Sequence, residues 1–211
     1  EQQSKIKQNA VSTELNWLLD NGFKLTSITA WRDWSFKPQN DLDFTRLNGI
    51  TGGFNVDQNQ FSQEVRLASP LNQTFDYVLG AFYYYQNIDS HNSYQTGINA
   101  LATTTAFPNN AYLSGLGHST TDSYALFGQS TWHVMPKFDL MAGLRLTSER
   151  KSGQVGQANI EPIIYTVLSP LFKAYDTGHL SRTDHSLASL ATASYEFNPN
   201  ILGFATLSTG E

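Results

Sequence analysis

The connections in this chain alternate short, long, short, long, with alternating stretches of about ten residues between them. The short ones are Asp20-Asn21-Gly22, Pro70-Leu71-Asn72-Gln73, Pro136-Lys137 and Asn198-Pro199-Asn200. The long ones run roughly over 36–60, 89–120 and 151–183 and are polar. Antiparallel strands with tight turns at one end and long loops at the other are the pattern of an outer-membrane β-barrel. The expected fold is therefore all-β. About eight strands are expected, near 11–18, 23–35, 61–69, 75–88, 121–135, 138–150, 184–197 and 201–208. The tight turns belong on the periplasmic side and the long loops outside.

Composition narrows the choice. Charged residues make up 15% of the 211, against about 25% in soluble domains. Mean hydropathy is negative, and no apolar run approaches the ~18 residues of a membrane helix. A barrel is compatible with both facts, because only every second residue meets lipid. A passive or structural barrel and a soluble β-sandwich fit the same strand spacing and stand as alternatives. With no cysteine, disulfides and thiolate metal sites are excluded. A net charge of −5 without a basic run argues against nucleic acid as a partner.

The alternation assigns faces. Val11, Leu15 and Trp17 oppose Ser12, Glu14 and Asn16. Val65 and Leu67 oppose Ser62, Glu64 and Arg66. Leu140, Ala142, Leu144 and Leu146 oppose Gly143, Arg145, Thr147 and Glu149. A slip of one residue would put every charge into lipid, at ~2–4 kcal/mol for a midplane Arg. Glu14, Glu64, Arg66, Arg145 and Glu149 are therefore expected to face the lumen. For 23–35 the face stays open, since a two-residue and a three-residue turn at Asn21-Gly22 give opposite answers. It stays open too for the strands near 75–88 and 184–208. Trp17, Trp132, Phe138, Tyr195 and Phe197 near the tight turns, and Trp31, Trp34 and Tyr83 to Tyr85 near the far ends, are expected to form two interfacial belts.

Polarity places both chain ends on the loop side, whereas a complete even-stranded barrel returns them to the turn side. The 211 residues are thus expected to be one internal piece of a larger barrel domain. Several runs resemble stretches in the barrels of TonB-dependent outer-membrane receptors. They are Thr26-Ser27-Ile28-Thr29-Ala30-Trp31-Arg32-Asp33-Trp34, Phe61 to Pro70, Tyr124 to Trp132 with Leu140 to Thr147, and Gly203 to Gly210. The last run departs from the family pattern at Thr209 and Glu211, where Arg and an aromatic are common. The resemblance covers nearly every strand and none of the long loops. It implies a 22-stranded barrel with a separate plug domain, outside these residues, that couples to the TonB complex. It implies, too, energy-driven uptake of a scarce solute, such as an iron chelate, across the bacterial outer membrane.

Solute specificity is expected in the loops, with Tyr94, Phe107, Asn109 and Tyr112 as substrate-binding candidates. His91, His118, His179 and His185 lie in or near the loops without ligand spacing, so no metal site is expected, and no cofactor is implied. No enzyme motif is present. Asp184, His185 and Ser186 are neighbours on a strand and point to opposite faces, so they cannot form a relay.

Overall fold

Asp20-Asn21-Gly22 forms a three-residue connection. Leu19 N–H donates to the Phe23 carbonyl at 2.7 Å, and Gly22 N–H donates to the Leu19 carbonyl at 2.8 Å. Gly22 has φ 81°, a left-handed conformation that glycine adopts without a Cβ clash. The turn fixes the register that the sequence leaves open. Trp17 lies opposite Leu25 and Leu15 opposite Ser27. Leu25, Ser27, Thr29 and Trp31 consequently share the face of Leu15 and Trp17.

A computed structural model of the chain describes residues 2–71, 74–103, 109–158 and 173–210. They form one antiparallel sheet of β1 (Gln3–Leu18), β2 (Lys24–Asp41), β3 (Ile50–Ala68), β4 (Phe75–Thr96), β5 (Tyr112–Met135), β6 (Phe138–Gln157), β7 (Tyr175–Asp176), β8 (Leu180–Asn198) and β9 (Ile201–Thr209). A single short helix, α1 (Ala100–Thr103), interrupts the described strands between β4 and β5. The spatial order is β1-β2-β3-β4-β5-β6-β8-β9, with β7 paired to the upper end of β6. Nine strands thus replace the expected eight, the extra one being the two-residue β7. Among the described residues, β1 pairs only with β2 and β9 only with β8, so the sheet is open at both edges.

The ladder sorts side chains into two faces. One cross-strand row reads Leu15, Ser27, Val65, Ala81, Leu126, Leu146, Leu187. On the other face, one row joins Glu14, Ile28, Glu64, Phe82, Ala125 and Thr147, and the next joins Arg66, Gly80, Phe127 and Arg145. The two faces differ in cover. On β5, Thr121, Ser123 and Ala125 are 6%, 6% and 4% exposed, while the intervening Tyr124 and Leu126 are 58% and 64% exposed. All the substantial packing is between ladder neighbours, so no second layer causes this difference. The sheet curls toward the charged side, where side chains crowd one another, and we call that side the inner face.

The strands overrun the expected loops. Residues 36–41, 50–60, 89–96, 112–120 and 151–157 belong to the ladder. β4 has 22 residues and β5 has 24, more than twice the ~9–11 that cross a membrane. Beyond the apolar band the outer face turns polar, so the alternation that marks a lipid-facing strand fades. The backbone hydrogen bonds need no apolar face and continue. The described long connections shrink to 42–49 and 97–111, with a third between β6 and β8 that carries β7.

Register also redraws the upper aromatic belt. Trp31, Phe61 and Tyr85 form one outer-face row, and Tyr83 with Tyr124 belongs to the adjacent one. Trp34 and Tyr84 are an odd number of residues away and lie on the inner face, outside any belt. At the other end the aromatics pack in outer-face pairs. Phe75–Trp132 rings stack at 5.7 Å, and Tyr195 meets Phe138 at 6.5 Å and Phe197 at 5.0 Å.

Candidate functional site

The inner face is layered from the tight-turn end upward. Lowest is His133, held between Asp139 at 2.7 Å and Asp76 at 3.0 Å, and above it runs the row that joins Arg66 and Arg145. Arg66 pairs with Glu64, its neighbour two residues away. Arg145 has no ion pair among the described residues. Its guanidinium lies over the Phe82 ring at 5.4 Å and the Phe127 ring at 5.8 Å. Its Nε donates to Thr147 Oγ1 at 3.3 Å. Phe127 itself lies over Gly80, directly opposite in the ladder. The absent side chain of Gly80 makes room for the ring, and the ring makes the bed for the cation.

Higher up comes a band of mixed charge. Glu149 lies opposite Asp184 and Lys151 opposite Arg182, two like-charged pairs that repel when alone. Each carboxylate is met along its own strand, Lys151 to Glu149 at 2.7 Å and Arg182 to Asp184 at 2.7 Å. Gln60, Glu149 and Arg32 surround the Tyr84 hydroxyl in the same band.

One row higher sits an aromatic shelf. Trp34 and Phe36 stack at 5.8 Å, and Phe36 meets Phe54 edge-on at 5.4 Å. Val56 lies opposite Phe36, and Ile88 lies opposite Gln58 in the Trp34 row. The sequence assignment missed this shelf because it ended the strand at 35. The signal was present in Arg32-Asp33-Trp34-Ser35-Phe36, where large side chains keep period two past that point.

The three described loop candidates do not converge. Tyr94 lies opposite Leu113 on the inner face, against Gly52. Tyr112 lies opposite Gln95 on the outer face. Asn109 accepts the Leu101 N–H at 3.1 Å and braces α1. Phe107 lies outside the described residues. The candidate charges Glu14, Glu64, Arg66, Arg145 and Glu149 all project from one face, with Glu14 and Glu64 in one row and Arg66 and Arg145 in the next. Glu14 accepts from Asn16 at 2.7 Å. His118 Nδ1 meets Asp89 Oδ1 at 2.7 Å, and His91 Nε2 meets Ser114 Oγ at 3.3 Å. No cluster able to hold a metal ion occurs among the described residues.

The described parts of 42–49 and 97–111 are tied by hydrogen bonds. In 42–49, Asp43 accepts from Thr45 Oγ1 at 2.5 Å and from Ile50 N–H at 2.6 Å. These bonds, that of Thr45 first, hold its carboxyl below the ordinary range. The turn presents Phe44 at φ 55°, 83% exposed. Gly97 N–H donates to the Gly49 carbonyl at 2.6 Å and Asn99 N–H to the Asn48 carbonyl at 2.9 Å, which joins 42–49 to 97–111. A Cβ at Gly97 would collide with Asn48.

A single up-and-down sheet with tight turns below, exposed leucines on one face and charges on the other defines a segment of a transmembrane β-barrel of the outer membrane. Residues 2–211 match the family model for the TonB dependent receptor-like β-barrel. The chain belongs to that family, whose members are transporters rather than enzymes. No curated protein matches it. Among solved structures it is similar to the ferric yersiniabactin uptake receptor FyuA from Yersinia pestis, at TM-score 0.76 and 17% identity, over 96% of this chain and 28% of that one. It is also similar to the ferric-catecholate import receptor Fiu from E. coli K12 in its open form, at TM-score 0.60 and 13% identity, over 98% and 35%. The ferric citrate transporter FecA, unliganded, follows at TM-score 0.54 and 9% identity, over 93% and 26%. The chain thus spans about a quarter to a third of each receptor's length.

Proposed function

We propose that this chain forms part of the wall and mouth of a transporter that takes up a scarce metal chelate, an iron–siderophore complex in the first instance. Capture occurs on the inner face, which is the lumen side, and the leucine face meets lipid. Release inward depends on a plug domain and on the TonB complex, which act through other parts of the parent protein. The observation that carries this reading is the aromatic shelf of Trp34, Phe36 and Phe54 one row above the band of mixed charge. Aromatic rings are low-entropy anchors for the flat aryl or apolar edges of an organic chelate. The rows below it carry Arg32, Lys151 and Arg182 against Glu149 and Asp184, one positive charge in excess, which favours an anionic complex weakly.

The test uses the full-length parent on the cell surface, with uptake of iron citrate and of an iron catecholate as probes. Trp34→Ala with Phe36→Ala is expected to lower uptake of the recognised chelate about tenfold or more, at unchanged surface display. Unchanged uptake of both probes, in cells where the parent demonstrably transports one, sinks the reading.

A further inference from the structure

A cluster of titratable groups sits at the foot of the inner face, far below the aromatic shelf. His133 ends the regular part of β5, just before the register shifts between His133 and Met135. Its Nδ1 meets Asp139 Oδ1 of β6 at 2.7 Å, and its Nε2 meets Asp76 Oδ2 of β4 at 3.0 Å. One ring thus bridges the strands on either side of its own. It stands one residue beyond Trp132, whose ring stacks on Phe75 in the lower outer-face belt, so it lies on the periplasmic side of the apolar band. The backbone ladder is near its end there. The β4–β5 pairing begins at Phe75↔Trp132, and His133 N–H donates to the Thr74 carbonyl at 3.0 Å.

The geometry fixes the charge of the ring. An ionised carboxylate only accepts, and a neutral imidazole donates from one nitrogen alone. With a carboxylate oxygen at hydrogen-bond distance from each nitrogen, both bonds form only when the ring carries two protons. The bond to Asp76, and then that to Asp139, accordingly raise the His133 pKa above its ordinary value. Val78 and Gly80 on β4, and Met141 and Gly143 on β6, are the next inner residues above, so the two aspartates are the titratable groups those strands turn toward the ring. Lys137 in the β5–β6 turn, Glu196 on β8 and Lys24 on β2 are further charged groups at this end, and none makes an ion pair with His133 among the described residues. We propose that His133 is a proton-operated clasp on the periplasmic rim of the wall. As imidazolium it ties β4 and β6 to β5. On losing a proton it keeps the shorter bond, to Asp139, and turns a lone pair toward the Asp76 carboxylate. The foot of β4 then parts from β5. The folded value is the raised one, so the clasp is complete below the ordinary imidazole value of about 6.5 and fades as pH climbs through the raised one. The device acts on the wall whatever the solute, and so stands apart from the capture reading.

The experiment uses the full-length parent folded in detergent, with heat-modifiable gel migration confirming the barrel for every variant. The readout is amide exchange over 74–78 and 131–135, corrected for intrinsic rates, followed from about pH 6 to about pH 10. Wild type is expected to hold constant protection in the acidic part of that range and to lose it at higher pH. Asp76→Asn is the decisive variant. Its amide donates to the bare Nε2 of a neutral ring, so the clasp stays shut and the profile stays flat. His133→Gln, which has no titrating group, is expected to give low protection at every pH. Nitrogen NMR of the parent with labelled histidine is expected to show a doubly protonated ring at neutral pH, absent from the His133→Gln spectrum. A neutral His133 ring at neutral pH, a flat wild-type profile, or an unchanged step in Asp76→Asn overturns the proposal.

Discussion

Gly80 and Phe127 illustrate how one missing side chain orders a neighbourhood. Ring carbons of Phe127 occupy the space where a Cβ of residue 80 would stand. Gly80→Ala should therefore cost about 1–3 kcal/mol by overpacking, read as urea unfolding of the refolded parent protein. Adding Phe127→Ala should return part of that loss, since the collision is gone. A neutral Gly80→Ala contradicts the contact. Asp43 carries a pH-dependent prediction. Its folded carboxyl titrates below the unfolded one, so its contribution to loop order is complete above the ordinary carboxylate value and fades as pH falls through the lowered value. Amides of 43–50 should keep constant protection, corrected for intrinsic exchange, from neutral pH down to about pH 4, then lose it. Asp43→Asn should flatten that profile. A loss centred near neutral pH contradicts it.

At the scale of the strand, the two faces make opposite demands. Leu144 is 59% exposed on the leucine face, and Thr147 stands on the inner face beside Arg145. Leu144→Arg should depress folding into lipid vesicles by about 2–4 kcal/mol, while Thr147→Arg should be tolerated. Equal yields would falsify the face assignment. Faces were legible in the sequence wherever a strand carries an apolar band, as over Leu140–Leu146. They were ambiguous over 23–35, where only the hydrogen bonds of a three-residue turn could choose. Outside the Trp34–Phe36 run the upper strand ends were illegible by hydrophobicity, because their outer face no longer carries an apolar band. A weaker signal lay in β4, where residues 81–96 contain neither glycine nor proline to end a strand. In β5 and β6 the glycines at 115, 117, 153 and 156 pointed the other way. Tyr94 and Tyr112, both expected in loops, stand on strands, and the ladder places them on opposite faces.

For the whole molecule, the open sheet dominates. β1 and β9 each leave one row of backbone groups unpaired among the described residues, a state that hydrocarbon does not tolerate. The 211 residues alone should fail to give a heat-modifiable, protease-resistant band in liposomes, and such a band would show that the sheet closes on itself. The family assignment was legible because strand motifs repeat across such barrels. The mouth was not, because its architecture depends on contacts between segments about fifty residues apart.

The joint between 42–49 and 97–111 has a practical meaning for exchange between relatives. Gly97 and the Asn48–Gly49 backbone make the two segments one piece, so the mouth is partly assembled before any solute arrives and less ordering entropy is lost on capture. Such a piece is inherited or grafted whole. Transplanting either segment alone into a related barrel breaks the joint, whereas moving both together carries it along.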